Sequence, residues 1–198
     1  MALDTRYGLL DYAQLSLWYV SLFVLVKWYG WIGIVIYLGV TQALYYVFYY
    51  GFGIEMMSGG DEIFFLDDDR SCMNIVASLT CEKFKVEDFR KQMFERAIRH
   101  PRVRGTVVKL FGKFMFKIHS KEWMYENIDK CCKVITDIHS KEALAEFLAK
   151  EQSIREPLEN VQWRQYFIPD YSATESIFIF KCHHSFTDGV GLILGMHT

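Results

Sequence analysis

The chain has 198 residues, enough for one domain of ordinary size and a small second unit. Its 22 basic and 24 acidic side chains give a net charge of −2. Without a basic stripe or the spacing of zinc ligands, this composition argues against a nucleic acid partner.

The charged residues are distributed unevenly along the chain. Residues 1–54 contain four of them, and all the others lie in residues 55–198; the four are Asp4, Arg6, Asp11 and Lys27. This division predicts a membrane anchor over residues 1–54, followed by a water-facing domain over residues 55–198.

The anchor contains two largely apolar segments. Residues 31–50 reach the roughly 20 apolar residues that a membrane-spanning helix needs. Residues 9–26 are marginal, and would span with some bilayer thinning or lie in the interface. Residues 27–31 (KWYGW) between them are typical of an interfacial turn, which predicts a transmembrane helical hairpin. The alternative is a hydrophobic hairpin buried in a soluble core.

Nine of the twelve tyrosines precede residue 54, as suits a membrane interface or a protein-facing helix.

The water-facing part alternates strand and helix patterns. In chain order we first predict an acidic loop at 67–69, a strand over 74–81 and an amphipathic helix over 86–99 that stops at His100 and Pro101. Strands over 111–118 and 131–138 follow. We then predict a helix from the capping residue Ser140 to 152, and strands over 161–168 and 175–181. This order predicts a mixed sheet with helices packed on it, an α/β or α+β layer domain.

Metal and thiol chemistry have weak sequence support. The three adjacent carboxylates of residues 67–69 suit a solvated loop better than a metal site. The five cysteines are odd in number and lack paired metal spacing, so we predict reduced thiols that act as small apolar fillers. We therefore expect no metal and no prosthetic group.

Residues 183–189 (HHSFTDG) form the most informative segment. They follow the apolar residues 177–180 (IFIF), which predict a buried strand, and precede residues that predict the start of a helix. A histidine at a strand end can accept a proton at neutral pH. Asp188, four residues after His184, can hold the turn or the imidazole, and Gly189 can adopt backbone angles that a β-carbon forbids. Cys182 would be a nucleophile only with an activating partner that the sequence does not identify.

This segment matches the HHxxxDG signature of the coenzyme-A-dependent acyltransferase superfamily. Residues 58–66 followed by 73–76 (MNIV) resemble the opening of the wax ester synthase/diacylglycerol acyltransferase family. Residues 101–104 (PRVR) resemble its proline-arginine step after the first helix. Residues 156–158 with Trp163 and Arg164 resemble its Pro-Leu-Trp element, although further residues precede the tryptophan here.

The resemblance implies a fold and a chemistry. The fold would be one half of a chloramphenicol-acetyltransferase-like domain. His184 would be the general base that takes a proton from a fatty alcohol or diacylglycerol, and acyl-CoA would be the co-substrate. His183 would support the site, Asp188 would tie the loop down, and Gly189 would give room for the turn and the substrate.

In the family that the chain resembles, the catalytic histidine lies between two similar domains. The chain ends nine residues after Gly189, so we expect residues 55–198 to be an N-terminal half-domain without its second half. That half would be a separate polypeptide, or the chain would be a fragment, or the half-domain would have become an accessory subunit.

Two functions follow from these alternatives. The first is a membrane-anchored O-acyltransferase of the endoplasmic reticulum, with the lipid bilayer, acyl-CoA and a lipid alcohol as partners. The second is a catalytically silent subunit of a large membrane complex, such as a respiratory-type assembly of the mitochondrial inner membrane. In that case protein partners would cover the open half-domain.

Overall fold

The computed structural model describes residues 9–57, 59–66 and 72–186, and its first elements are two helices. Helix α1 covers Leu9–Tyr29, and helix α2 covers Trp31–Tyr46 and continues as a π-helical turn over Val47–Gly51. Gly30 joins them at a φ of 59°, in the left-handed region that favours glycine. A β-carbon on Gly33 would lie 2.2 Å from the carbonyl oxygen of Leu25, so the close approach of the two helices depends on this glycine.

The two helices differ in their suitability for a membrane. Among the described residues, one helical stretch is long and apolar enough to cross a bilayer, Trp31–Gly51, with 21 residues and a mean hydropathy of 1.6. The expectation of two spanning helices is not met, because α1 contains polar residues such as Asp11, Gln14 and Ser16 that lower its hydropathy. Only 6% of the apolar window in Trp31–Gly51 is buried within the chain. The chain itself therefore does not enclose this helix in a core.

A three-stranded antiparallel sheet follows the helices, in the order β1-β4-β3. Its strands are β1 (Ile54–Met56), β3 (Gly105–Leu110) and β4 (Lys113–Ile118). The strand predicted over 111–118 is shorter than expected, because Phe111 and Gly112 form a tight turn with φ values of 54° and 74°. Strand β3, which that turn joins to β4, was not predicted.

A four-stranded mixed sheet forms the larger part of the domain, in the order β2-β7-β6-β5. Its strands are β2 (Asn74–Glu82), β5 (Cys132–Val134), β6 (Trp163–Ile168) and β7 (Glu175–His183). Strands β5 and β6 are parallel, and the other pairs are antiparallel. A bridge between Thr106 and Val161 and a 2.8 Å hydrogen bond from the Val107 amide to the Leu158 carbonyl connect the two sheets.

Four further helices complete the described fold. They are α3 (Gly59–Ile63), which leads into a 3₁₀ turn over Phe64–Leu66, then α4 (Val86–Arg99), α5 (Lys121–Cys131) and α6 (Lys141–Ser153). The predictions of α4 and α6 are confirmed, and the hydroxyl of Ser140 accepts from the Ala143 amide as the predicted cap. The prediction of a strand over 131–138 is wrong at both ends, since α5 extends to Cys131 and β5 stops at Val134.

Strand β7 presents a different surface to each side of the sheet, because side chains alternate along a strand. Ile177 and Ile179 pack in a cluster with α6. Phe180 and Cys182 pack in the main core, which includes residues of α4 and α5. Helices thus cover both faces of this sheet, as the predicted layer architecture requires.

A buried charged network lies on the α6 side of β7. The Lys181 side chain is 1% exposed, and its Nζ lies 3.3 Å from Glu151 Oε2 and 3.4 Å from Glu156 Oε1. Arg164 pairs with Glu156 at 2.6 Å, and the Tyr166 hydroxyl donates to Glu151 at 2.6 Å. The pKa of Tyr166 is raised by burial and by this hydrogen bond to a carboxylate. Charges this deep are tolerated only when each has partners of opposite charge.

We expect Lys181→Met to lower the free energy of unfolding by about 3 kcal/mol, because it leaves two buried carboxylates short of a cation. Equilibrium denaturation of the purified chain measures this loss. The matched control is Lys133→Met, which changes an exposed lysine of β5 and should have little effect. Equal effects of the two substitutions would show that the network is not stabilised by Lys181.

Candidate active site

The two adjacent histidines lie at the end of the central strand β7. The His183 amide donates to the Gln162 carbonyl at 2.9 Å, and the His184 amide donates to the Met73 carbonyl at 2.7 Å. Met73 immediately precedes β2, and Gln162 immediately precedes β6. The backbone of the pair is thus tied to the segments on both sides of β7, which fixes its position.

His183 is sealed inside the domain, with 2% of its surface exposed. Its Nδ1 lies 2.6 Å from the Ser185 hydroxyl oxygen and accepts from the Ser185 amide at 3.3 Å. Because an amide can only donate, Nδ1 is the acceptor in this second contact. The ring also stacks on Phe65 at 4.6 Å. This burial and bonding suit a residue that shapes the site rather than one that meets a substrate.

His184 has left the strand and is only partly buried. Its ring stacks on Phe64 with centroids 3.9 Å apart and an interplanar angle of 24°. Its Nδ1 is buried, without a hydrogen-bond partner among residues 9–57, 59–66 and 72–186. The stack and the backbone hydrogen bond hold the imidazole, while its partial exposure leaves it approachable. Of the two histidines, His184 is therefore the more accessible one.

Phe64 and Phe65 are site residues that the sequence reasoning missed. They follow each other in the 3₁₀ turn, and each stacks on one histidine. Phe65 also stacks on Phe114 of β4 at 4.5 Å, which links the histidine turn to the smaller sheet. The resemblance of residues 58–66 to the family's opening is the sequence signal that could have identified them. That resemblance supports the family assignment but does not by itself place these rings beside the histidines.

Asn74 is a third such residue. It lies opposite His183 in the β2–β7 register, and its side-chain amide donates to the carbonyls of Gln152 and Ile154 at 2.9 and 2.8 Å. These bonds satisfy carbonyls at the end of α6. Asn74 therefore joins α6 to the strand beside the site.

The remaining predicted site residues, Asp188 and Gly189, lie outside the described residues, as does the acidic loop at 67–69. Their roles stay predictions. Within the part of the chain that the structure describes, no group of three or more His, Cys, Asp or Glu side chains could hold a metal ion.

The cysteines are free thiols, and three of them are buried. Burial raises the pKa of Cys182 to about 12 and that of Cys131 to about 11, and it raises the pKa of Cys132 as well. A thiol with so high a pKa is almost never ionised near neutral pH, and the thiolate is the nucleophile. Burial of Cys182 therefore argues against a role as a nucleophile.

Solved structures share this architecture. The wax ester synthase/diacylglycerol acyltransferase of Marinobacter aquaeolei VT8 aligns with a TM-score of 0.53 and 15% identity, over 70% of this chain and 36% of that chain. The trichothecene 15-O-acetyltransferase of Fusarium sporotrichioides aligns with a TM-score of 0.55 and 13% identity, over 70% of this chain and 32% of that chain. A mutant starter condensation domain of rhizomide synthetase aligns with a TM-score of 0.51 and 12% identity, over 63% of this chain and 30% of that chain.

These likenesses show the fold. The chain has the mixed α/β fold of condensation-domain and coenzyme-A-dependent acyltransferase proteins, and it spans about a third of the length of the three structures. No protein-family model and no curated protein matches the sequence. The expected likeness to chloramphenicol-acetyltransferase-like acyltransferase folds is thus confirmed, while the half-domain and membership of the wax ester synthase family stay predictions.

We expect the buried thiols to resist modification at pH 8, because their raised pKa values leave them almost fully protonated. An unperturbed cysteine, with a pKa of about 8.5, reacts at that pH. Ellman's reagent should titrate at most two thiols in the native chain, Cys72 and Cys81, and all five in denaturant. Rapid native modification of Cys182, located by mass spectrometry, would contradict the burial described above.

Proposed function

We propose that the chain is a membrane-anchored, O-acyltransferase-like protein that moves an acyl group from acyl-CoA to a lipid alcohol or diacylglycerol. The observation that supports this most is the placement of His184 in an acyltransferase fold. It lies at the end of the central strand, is held by its backbone and by Phe64, and remains partly exposed.

His184 would act as a general base. Its neutral imidazole takes the proton of the acceptor hydroxyl as the oxygen attacks the thioester carbonyl carbon. The carbon–sulfur bond then breaks, and the departing thiolate of coenzyme A takes the proton back from the imidazolium. The products are an ester and free coenzyme A, and the histidine is regenerated.

The other residues of the motif would position His184. His183 is a positioning residue, because its sealed ring fills the space between Phe65 and Ser185. Asp188 would tie the loop down through a charge-assisted contact, and Gly189 would give room for the turn. The latter two roles rest on the resemblance alone.

The helix Trp31–Gly51 supports the membrane part of the proposal. It is long enough to cross a bilayer, and 6% of its apolar window is buried within the chain. Large side chains such as Trp31, Val35 and Leu38 are exposed. Exposed apolar surface of this extent is stable in hydrocarbon and unfavourable in water. The bilayer would therefore cover this helix, and a lipid acceptor would be held in the same membrane.

A second candidate function is a catalytically silent subunit of a membrane complex that keeps the half-domain as a scaffold. The tyrosines at the end of the helix offer a surface for such a complex. Tyr45 stacks on Tyr49, and Tyr46 on Tyr50, each at 6.0 Å. Two tyrosine stacks, which together combine apolar rings with hydroxyl groups, suit contact with another protein as well as with lipid headgroups.

Replacing His184 with alanine separates the two functions. If the chain is an enzyme, His184→Ala should lower acyl transfer from labelled acyl-CoA by roughly 100-fold or more, the usual contribution of a general base. The assay uses the full chain in lipid nanodiscs that contain diacylglycerol or a long-chain alcohol, with labelled ester as the readout.

The control is His100→Ala, which changes an exposed histidine at the end of α4 and should leave transfer unchanged. Unaltered denaturation of His184→Ala would show that any loss is chemical. Absence of transfer by the wild-type chain would contradict the enzyme and favour the silent subunit.

A further inference from the structure

The turn between β3 and β4 contains a phenylalanine in a backbone conformation that bulky residues rarely adopt. Phe111 has a φ of 54° and Gly112 a φ of 74°, so both residues of this two-residue hairpin turn are in the left-handed region. Asn, Asp and Gly are the residues that usually occupy such positions, because a bulky side chain is strained there. Phe111 is also 53% exposed. The fold alone gives no reason for an exposed aromatic ring at a strained turn.

The turn touches both N-terminal helices. The Phe111 ring meets that of Phe48 edge-on, with centroids 6.1 Å apart. The indole N–H of Trp18 in α1 donates to the Phe111 carbonyl at 3.3 Å. Phe48 lies within the helix Trp31–Gly51, three residues before its end. The turn therefore lies level with the last part of the apolar helix.

We propose that this turn is a second membrane contact, in which the exposed ring of Phe111 enters the interfacial layer of the bilayer. This inference rests on the proposed membrane span, since the depth of the turn is set by the depth of Phe48. If Trp31–Gly51 crosses a membrane, a residue level with Phe48 cannot avoid the headgroup region. Aromatic rings are favoured in that layer, and burying this one offsets the strain of the turn.

The residues next to the turn match a bilayer surface. Lys109 and Lys113 lie on either side of it, with Lys109 Nζ 5.0 Å from the Phe114 ring and Lys113 Nζ 3.8 Å from Glu62. Both lysines are only partly buried. Long basic side chains next to an inserted ring can reach lipid phosphates. A bilayer therefore fits this surface better than an apolar protein partner.

The contact has a consequence for the candidate active site. Phe114, three residues after Phe111, stacks on Phe65, and Phe65 stacks on His183, at 4.5 and 4.6 Å. His183 is thus two ring contacts away from the strand that emerges from the turn. A turn held at the bilayer surface keeps this site near the membrane, where a lipid alcohol has its hydroxyl group.

Fluorescent labels at three positions test the inference. Cys72 and Cys81 are first replaced by serine, and Cys131, Cys132 and Cys182 are buried and should not react. A single cysteine is then placed at Phe111, at Ile36 within the apolar helix, or at Tyr125 on α5, which is 69% exposed. Each full-length labelled chain is reconstituted in nanodiscs of phosphatidylcholine and phosphatidylglycerol. Quenching is measured with aqueous iodide and with lipids that carry a doxyl group near the headgroup or deep in the acyl chains.

We expect the label at 111 to be quenched by shallow doxyl lipids and to be at least threefold less accessible to iodide than the label at 125. The label at 36 should respond to deep doxyl lipids. A second measurement keeps the native ring: with the label at Lys113→Cys, the additional substitution Phe111→Asn should raise the iodide accessibility. Asparagine tolerates the left-handed turn, so this variant is expected to fold.

Three results would overturn the inference. If the label at 111 is as accessible to iodide as that at 125 while position 36 is in lipid, the helix spans but the turn does not touch the bilayer. If position 36 is also in water, the membrane span of the proposed function is absent and the inference fails with it. If the label at 111 is protected from iodide yet unaffected by doxyl lipids, protein rather than lipid covers the turn.

Discussion

The pairing of β7 with strands on both sides is the constraint on which the rest of the domain depends. The strand bonds to β2 along its length and to β6 from Ile177 to Cys182 in the larger sheet. Because side chains alternate, this single strand contributes Phe180 and Cys182 to one core and Ile177 and Ile179 to another. Both helical layers therefore depend on its register, and a shift of one residue would exchange the two surfaces.

The buried charges of the domain reinforce that register. Lys181 points to the same side as Ile179, where its ammonium group meets Glu151 of α6 and Glu156 of the following loop. A shift of β7 by one residue would place this lysine in the apolar core beside α4 and leave both carboxylates without it. An apolar side chain at 181 would not impose this penalty on a wrong register. The network thus favours one alignment of strand and helix, whatever its net contribution to stability.

Local patterns predicted the elements that carry their own signals. Strand β2, helix α4 and the Ser140-capped helix α6 were predicted because apolar periodicity and capping residues lie within their own sequences. The turn at Phe111 was missed because phenylalanine is not a turn residue, and β3 was missed with it. Helix α5 was missed although Ser120 caps it, with its hydroxyl accepting from the Trp123 amide. A second spanning helix was expected because α1 contains few charged residues, but its polar residues lower its hydropathy.

The candidate site likewise has a part that a local pattern predicted and a part that no local pattern could predict. The HHSFTDG motif placed the histidines at a strand end, and β7 does end at His183. No local pattern could show that Phe64 and Phe65 cover them, because these residues lie more than a hundred positions earlier in the chain. Stacking between such distant residues follows from tertiary packing, which composition and periodicity do not encode.

The difference between the two histidines follows from the geometry of the strand end. His183 is still in the sheet and has the same orientation as Lys181, so its ring enters the interior and its bonds are made within the fold. His184 is the first residue beyond the strand, where the chain turns and the residue is only partly buried. Phe64 and Phe65 run in the opposite direction, so the earlier phenylalanine meets the later histidine. Two consecutive residues of the same type thus have different surroundings, since one is held by the interior and the other is only braced by a ring. An exchange of these surroundings would require the strand to end one residue earlier.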